Sequence, residues 1–160
     1  MEIILYDKLL FIFVKESESE NMNIRVASEL DYPALRRIYL ESRRKSFYWA
    51  DIEEMTLEDF DKHTVGEYII LAEEDAKILG FASLYLPDNF IHNLFVRPDF
   101  SGKGVGGQLI NASIEKMNKP IRLKCVSENQ KAMKFYENNG WKKVVEEGKP
   151  EEKYWVMVYE

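Results

Sequence analysis

The chain is poor in the residues that build metal centres, disulfides and membrane spans. Its 160 residues include one cysteine, Cys125, and two histidines, His63 and His92. A single cysteine excludes an intrachain disulfide framework and suits a reducing compartment, so a cytoplasmic location is expected. One cysteine and two distant histidines give no metal-ligand spacing, so no metal is expected. Long apolar runs are also missing. The stretch "IILYDKLLFIFV" (3–14) is broken by Asp7-Lys8 and is too short to span a bilayer. It follows Met1-Glu2 instead of a basic segment, and no small-residue cleavage site comes after it, which argues against a signal peptide. No membrane association is expected. Positive charge is short as well: the formal net charge is −6, and basic residues cluster only at Arg36-Arg37 and Arg43-Arg44-Lys45. That balance disfavours a nucleic-acid partner.

What is present is a normal globular mixture, 46% hydrophobic and 31% charged, in a length that suits one domain with a real core. After the polar run "KESESEN", Met22 opens a strand, "MNIRVAS". Residues 1–21 therefore read as an N-terminal extension, and 22–160 as a single domain. The extension would form a hairpin turning at Asp7-Lys8, an edge strand or an oligomer contact. Within the domain, "SELDYPALRRIYLESRRKSF" places Leu35, Ile38, Tyr39 and Ser42 at helical spacing, with Pro33 in the first turn. "TLEDFDKH" predicts a short helix capped by Thr56 with Asp59 three residues on. "EYIILAEED" and "KILGFASLYLP" read as strands of an antiparallel hairpin turning at Asp75-Ala76. "NFIHNLFVRP" is a strand stopped by Pro98, and "GGQLINASIEKM" a helix with Leu109, Ile110, Ser113, Ile114 and Met117 on one face. "PIRLKCVS" is a strand, and "ENQKAMKFYENNGW" a helix closed by Gly140. "WKKVVEEG" and "KYWVMVYE" finish as strands. The order is βααβββαβαββ, a mixed α/β (α+β-like) sheet with a largely antiparallel first half, flanked by helices.

Between the strand ending at Pro98 and the following helix, "PDFSGKGVGGQL" holds four glycines within six positions. A tight turn needs one or two; a cluster marks close backbone approach to something else. The ATP-binding pattern G-x-x-x-x-G-K-[ST] fails, because Gln108 follows Gly107 where the lysine belongs. The dinucleotide fingerprint G-x-G-x-x-G matches formally at Gly102, Gly104 and Gly107, with Glu128 about twenty residues on. Arg97 to Ser101 intervene between strand and first glycine, however, and too little chain follows Glu128 for the remaining parallel strands. What survives is the general physics: free N–H groups at a helix N-terminus bind phosphate or pyrophosphate.

"LFVRPDFSGKGVGGQLI" followed by "NQKAMKFYENNGW" resembles the paired signature of the GNAT superfamily of acyl-CoA N-acyltransferases. The first motif of that family is [QR]-x-x-G-x-[GA] after a V-x-P strand end; here Val96, Pro98, Gly104 and Gly106 supply it. Its second, N-x-x-A-x-x-[FL]-Y-x-x-x-G-[FW], is supplied by Asn129, Ala132, Phe135, Tyr136, Gly140 and Trp141. Ser101 departs from the usual Gln or Arg and removes one side chain from the pyrophosphate site; Lys103 is a candidate to compensate. The element order from Met22 to Glu160 resembles the family fold as well.

The resemblance implies acetyl-CoA as co-substrate and a primary amine, on a small molecule or peptide, as acceptor. It implies that the backbone of Leu94, Phe95 and Val96 takes the pantetheine arm as an added strand. It also implies that Ser101, Gly102, Lys103, Gly104, Val105 and Gly106 cradle the pyrophosphate. Asn129 and Tyr136 are seven residues apart, on one helix face and about 10 Å along its axis, so one extended ligand can touch both. In the implied chemistry an amine attacks the acetyl thioester and CoA leaves as a thiolate. A backbone N–H near Phe95 or Val96 would stabilise the oxyanion. Tyr136, a phenol of ordinary pKa near 10, would protonate the sulfur. Some family members carry a Glu five residues before the motif Asn, where this chain has Lys124. His92, on the strand entering the site, is a candidate base, with a partly buried strand histidine of satisfied ring as the alternative; a water chain to Glu128 or another carboxylate is a further option. Cys125, inside an apolar strand, reads as a packed thiol. His63, after an acidic helix, reads as solvent-facing. The acceptor wall is expected in "SFYWADIEEM", from Phe47, Tyr48 and Trp49 with Asp51, Glu53 and Glu54 to attract an amine, although a plain core role for these aromatics is the alternative. A non-catalytic acyl-CoA-binding or sensing module of the same fold is the other function open to this sequence, and a homodimer is an option.

Overall fold

The computed structural model describes residues 21–47 and 50–160. The N-terminal extension, apart from its last residue, and the aromatic pair Tyr48-Trp49 lie outside the described residues. The elements are β1 (Asn23–Val26), α1 (Tyr32–Ser46), α2 (Asp59–His63), β2 (Tyr68–Glu74), β3 (Lys77–Tyr85), β4 (Phe90–Val96), α3 (Val105–Lys116), β5 (Ile121–Val126), α4 (Gln130–Asn138), β6 (Lys142–Lys149) and β7 (Glu152–Tyr159). Their order is the one the sequence predicts. Seven strands form one mixed sheet in the order β1-β2-β3-β4-β5-β7-β6. The first four pair antiparallel, β4 and β5 pair parallel, and β5, β7 and β6 pair antiparallel.

Local chemistry explains most of the boundaries. Pro33 sits in the first turn of α1, where a missing N–H costs nothing. Asp75 and Ala76 both take positive φ, the conformation of a two-residue hairpin turn between twisted strands. Ahead of α2, the Thr56 N–H and hydroxyl both donate to the Asp59 carboxylate at 2.9 and 3.2 Å. Gly140 closes α4 at φ +88°.

Alternation along β2 sends successive side chains into two cores. Ile70 and Ala72 join Leu84, Ile91, Leu123 and Met157 under α3 and α4, which contribute Leu109, Ile110, Met133 and Tyr136. Ile69 and Leu71 join Phe81 beneath α1 and α2, which contribute Leu35, Ile38, Tyr39 and Phe60. The aromatic side chains of this second core meet edge to face: Tyr39 and Phe60 lie 6.2 Å apart, Phe60 and Phe81 5.5 Å.

Two irregularities in β4 position the site. Opposite Ser83 and Leu84 the register shifts: Ser83 pairs with Asn93 and Leu84 with Ile91, so His92 is an extra residue, a β-bulge. The bulge resets the alternation. Ile91, Leu94 and Val96 all face the first core, whereas Phe95 faces the second. On the other side, β4 pairs with β5 only at Phe90↔Arg122 and Ile91↔Leu123. Beyond that point β4 keeps β3 and leaves β5. Gly80 lets the β3–β4 contact stay close, since a Cβ there would sit 2.6 Å from the Phe95 carbonyl oxygen.

A charge cluster ties β1 to the sheet. The Arg25 guanidinium donates to both oxygens of Asp31 at 2.8 Å and to Glu73 at 2.9 and 3.1 Å. Hydrogen bonding to Arg25 holds the Asp31 carboxyl down at about 2, from an ordinary 3.8. A lowered folded-state pKa gives stability that is complete above the ordinary carboxylate range and disappears as pH falls towards about 2. The melting temperature of the wild type is therefore expected to drop between pH 4 and pH 2 more steeply than that of Arg25→Leu. Parallel slopes in thermal melts of the two proteins would show that the cluster does not couple to folding.

Candidate active site

The separation of β4 from β5 opens a cavity of about 1090 Å³, lined by both motif segments and the end of α1. The backbone of β4 inside it is partly unsatisfied by construction. The Arg97 N–H donates to the Leu79 carbonyl at 2.8 Å, which makes Val96 and Gly80 a non-hydrogen-bonded pair. By alternation Phe95 exchanges its bonds with Phe81, and the peptide groups of Leu94 and Val96 turn towards the side that β5 has vacated. Of the expected strand-like edge, Leu94 and Val96 carry the free groups; Phe95 does not. The Val96 carbonyl accepts one bond, from the Ser42 hydroxyl at 3.3 Å.

At the next stage along the cavity, α3 begins. Gly104 is its N-cap at φ +82°, with no side chain to cap the helix, and Gly102 is at φ +78°. A Cβ on either would meet nothing within 4 Å, so the space over the loop is open. The first helical bond of α3 runs from the Gln108 N–H to the Gly104 carbonyl at 3.1 Å. The amides of Val105, Gly106 and Gly107 precede it and form the usual anion-attracting helix start. Ser101, Gly102, Gly104, Val105 and Gly106 all line the cavity; Lys103 does not, and its ammonium lies 5.1 Å from the Phe100 ring. Gly106 has a different reason to be glycine, because its Cβ would press on the Phe135 ring at 3.3 Å.

Asn129 and Tyr136 enter the same cavity from α4. Asn129 caps this helix: its side-chain oxygen accepts from the Ala132 N–H at 3.1 Å. Tyr136 is 9% exposed, and its hydroxyl has no hydrogen-bond partner among the described residues. Burial, and secondarily the nearby Cys125 thiol, raise the phenol pKa well above its ordinary value, so it stays protonated. Cys125 is buried too, and burial pushes its thiol up to about 11. A thiol in that state is a poor nucleophile.

His92 stands exposed on the bulge, next to where β4 leaves β5, and is not part of the cavity lining. Its Nδ1 is hydrogen-bonded to Glu67, a residue for which the sequence carries no signal: it precedes β2, two strands away. On the acceptor side, Phe47 lines the cavity and packs on Phe95 with 5.9 Å between centroids. Trp49 is outside the described residues, and Glu54 is exposed in the turn Ile52–Glu54, away from the cavity lining. Arg43 fixes this end of α1: it lies 3.8 Å over the Tyr39 ring and donates to Asp59 at 3.1 Å. Lys124 faces away, 4.8 Å from the Tyr154 ring. His63 is exposed, as expected, but its Nδ1 also meets the Tyr39 hydroxyl at 2.7 Å.

The model of the Acetyltransferase (GNAT) family matches residues 32–141, from α1 to the end of the α4 motif. This chain belongs to the GNAT family. It is 30% identical to a Bacillus subtilis (strain 168) protein named uncharacterized N-acetyltransferase YhfO, over 75% of this chain and 89% of that one. It is 28% identical to an Archaeoglobus fulgidus protein also named an N-acetyltransferase, over 72% and 89%. Among solved structures, the GNAT fold here is similar to apo YjaB of Escherichia coli, with a TM-score of 0.72 at 22% identity over 86% of this chain and 97% of that one. It is equally similar to the PaiA N-acetyltransferase of Thermoplasma acidophilum in complex with coenzyme A, with a TM-score of 0.72 at 21% identity over 86% and 99%.

Two outcomes test the local readings of this GNAT site. Without ligand, Gly107→Ala should stabilise by about 0.5–1 kcal/mol through lower chain entropy in an open position, while Gly106→Ala should stabilise less, because its methyl meets the Phe135 ring. Equal effects in denaturant melts would contradict that division. Separately, Cys125 should resist alkylation at pH 8 until the protein is unfolded; rapid labelling of the native state, followed by mass spectrometry, would contradict the raised thiol pKa.

Proposed function

We propose that this chain is an N-acetyltransferase that moves the acetyl group of acetyl-CoA to a primary amine by direct attack. The observation that carries the reading is a coincidence within one cavity. An unpaired strand edge, an uncapped helix N-terminus and a buried phenol without a partner all open onto the same space. Each turns polar groups towards open space instead of towards the rest of the fold. Together they match a thioester on a long amide-bearing arm that ends in a pyrophosphate.

In this reading Leu94 and Val96 hold the pantetheine arm by strand addition, with Phe95 behind them as a wall. Ser101 to Gly106 and the first-turn amides of α3 hold the pyrophosphate, and Lys103 supplies charge that Ser101 lacks. Asn129 contributes its amide group from the start of α4. Acetyl-CoA supplies the activated acetyl group; the protein supplies the protons and the orientation. A peptide N–H of Leu94 or Val96 stabilises charge developing on the acetyl oxygen. Tyr136 donates its phenolic proton to the departing sulfur, and burial keeps that proton in place beforehand. His92, at the bulge, takes one proton from the acceptor ammonium so that the neutral amine can attack, and the second N–H proton, released as the tetrahedral intermediate collapses, restores the Tyr136 phenol. Phe47, on the cavity wall, faces the acceptor. Cys125 takes no part, which is why attack is direct.

Acetyl-CoA at a hundredfold excess over its Kd should stabilise the protein by about 2.7 kcal/mol. Coenzyme A release should then be detected with at least one member of a panel of polyamines, amino acids and peptides with free N-termini. Tyr136→Phe keeps the ring and removes the proton donor. It should lower kcat by roughly tenfold to a thousandfold with acetyl-CoA affinity nearly unchanged, by steady-state assay and calorimetry. Full turnover in a folded Tyr136→Phe variant would make the phenol structural. Binding without turnover of any amine would make the chain an acyl-CoA-binding module.

A further inference from the structure

The most unusual polar group outside the cavity is Glu67. Its side chain is only 3% exposed, and its Oε2 has no hydrogen-bond partner among the described residues. Leaving a carboxylate oxygen buried and unpaired opposes folding, so such a group calls for another reason to be there. The single partner of the other oxygen is Nδ1 of His92. The chain goes to some length to deliver it. After α2, the Thr64 hydroxyl donates to the Phe60 carbonyl at 2.7 Å, Gly66 turns at φ +74°, and the Glu67 N–H donates to the Thr64 carbonyl at 3.1 Å. The imidazole is held on its faces as well: it stacks on Tyr85 at 5.8 Å and 3°, and Phe90 meets it at 4.9 Å.

We propose that Glu67 is a positioning residue that sets the tautomer and orientation of His92. In this pairing Glu67 is the acceptor and Nδ1 the donor, so Nδ1 carries the hydrogen. The lone pair of the neutral ring is then on Nε2, the nitrogen turned away from the buried carboxylate, on a side chain that is 42% exposed. Nε2 takes one proton from the ammonium of the acceptor, the ring becomes an imidazolium paired with Glu67, and that proton passes to solvent. Without Glu67 the ring would divide its hydrogen between two nitrogens and lose its hydrogen bond, keeping only the face contacts of Tyr85 and Phe90. This rests on the reading of His92 as the base.

The test has an arm that needs no acceptor. Long-range ¹H–¹⁵N NMR at a pH where the ring is neutral should show His92 in the Nδ1–H form in the wild type. That preference should be lost in Glu67→Leu, and weakened in the isosteric Glu67→Gln should the leucine variant not fold. Because an orphaned carboxylate is being removed, the melting temperature should be unchanged or higher. An unchanged tautomer overturns the proposal, and so does a melting temperature several degrees lower with the tautomer retained, which would make Glu67 a packing residue. With the fastest amine of the panel, Glu67→Leu should lower kcat about tenfold or more, and in a His92→Ala background it should lower it no further. Independent, multiplying losses overturn the proposal. Full activity in His92→Ala overturns instead the assignment of the base, and the two failures are read separately.

Discussion

Two pairs of residues hold β4 to β5, and the rest of the fold is arranged around the place where that pairing stops. A sheet interior normally satisfies every peptide group with a neighbouring strand. Here the sheet remains continuous through Phe90↔Arg122 and Ile91↔Leu123, then opens on one side only. Because β3 stays paired with β4 up to Gly80↔Val96, the open edge remains part of the sheet. The separation is supported from both layers. Core residues of α3 and α4 fill one face of the sheet, and the edge-to-face aromatics of α1, α2 and β3 fill the other. A gap of this kind inside a sheet is stable only because two packed cores prevent β4 from swinging across to close it.

Burial acts alike on two neighbouring groups that differ in their access to the cavity. Tyr136 and Cys125 are both kept protonated by the same poorly solvated surroundings. Tyr136 opens onto the cavity, so its proton has somewhere to go. Cys125 is not part of the lining and offers only weak, long contacts to the carbonyls of Val126 and Asn129, at 3.8 and 4.0 Å. Access to the cavity separates the Tyr136 phenol from the enclosed Cys125 thiol.

Local rules made much of the fold readable. Period-two and period-3.6 patterns placed the strands and helices, Pro33 and Gly140 marked helix ends, and Asp75-Ala76 marked a hairpin. The two motif segments also pointed to a common site, and the cavity brings Gly104, Gly106, Asn129 and Tyr136 together. The features that escaped depend on registers between strands. Nothing in "NFIHNLFV" says that His92 is an inserted residue, since a bulge is defined by the partner strand. Nothing near Glu67 predicts an imidazole from two strands away. The roles of individual glycines were hidden too: Gly104 answers to its own φ, Gly106 to the ring of Phe135, and the sequence shows both only as G.

The bulge at His92 has a final consequence, for changes of length. A strand counts in twos, and one additional residue exchanges its faces from that point onward. Ile91 and Leu94 share a core, although three positions separate them, only because His92 stands between Ile91 and Asn93 as the supernumerary residue. Removing His92 would run Ile91, Asn93 and Leu94 unbroken opposite Leu84, Ser83 and Ala82, with Leu94 and Val96 still in the aliphatic core and Phe95 in the aromatic one. The strand holds one residue more than its ladder needs, so at this point a deletion costs the local bend and leaves the faces in place. A second extra residue has no such slack to draw on, and a gain and a loss of length are therefore unequal here.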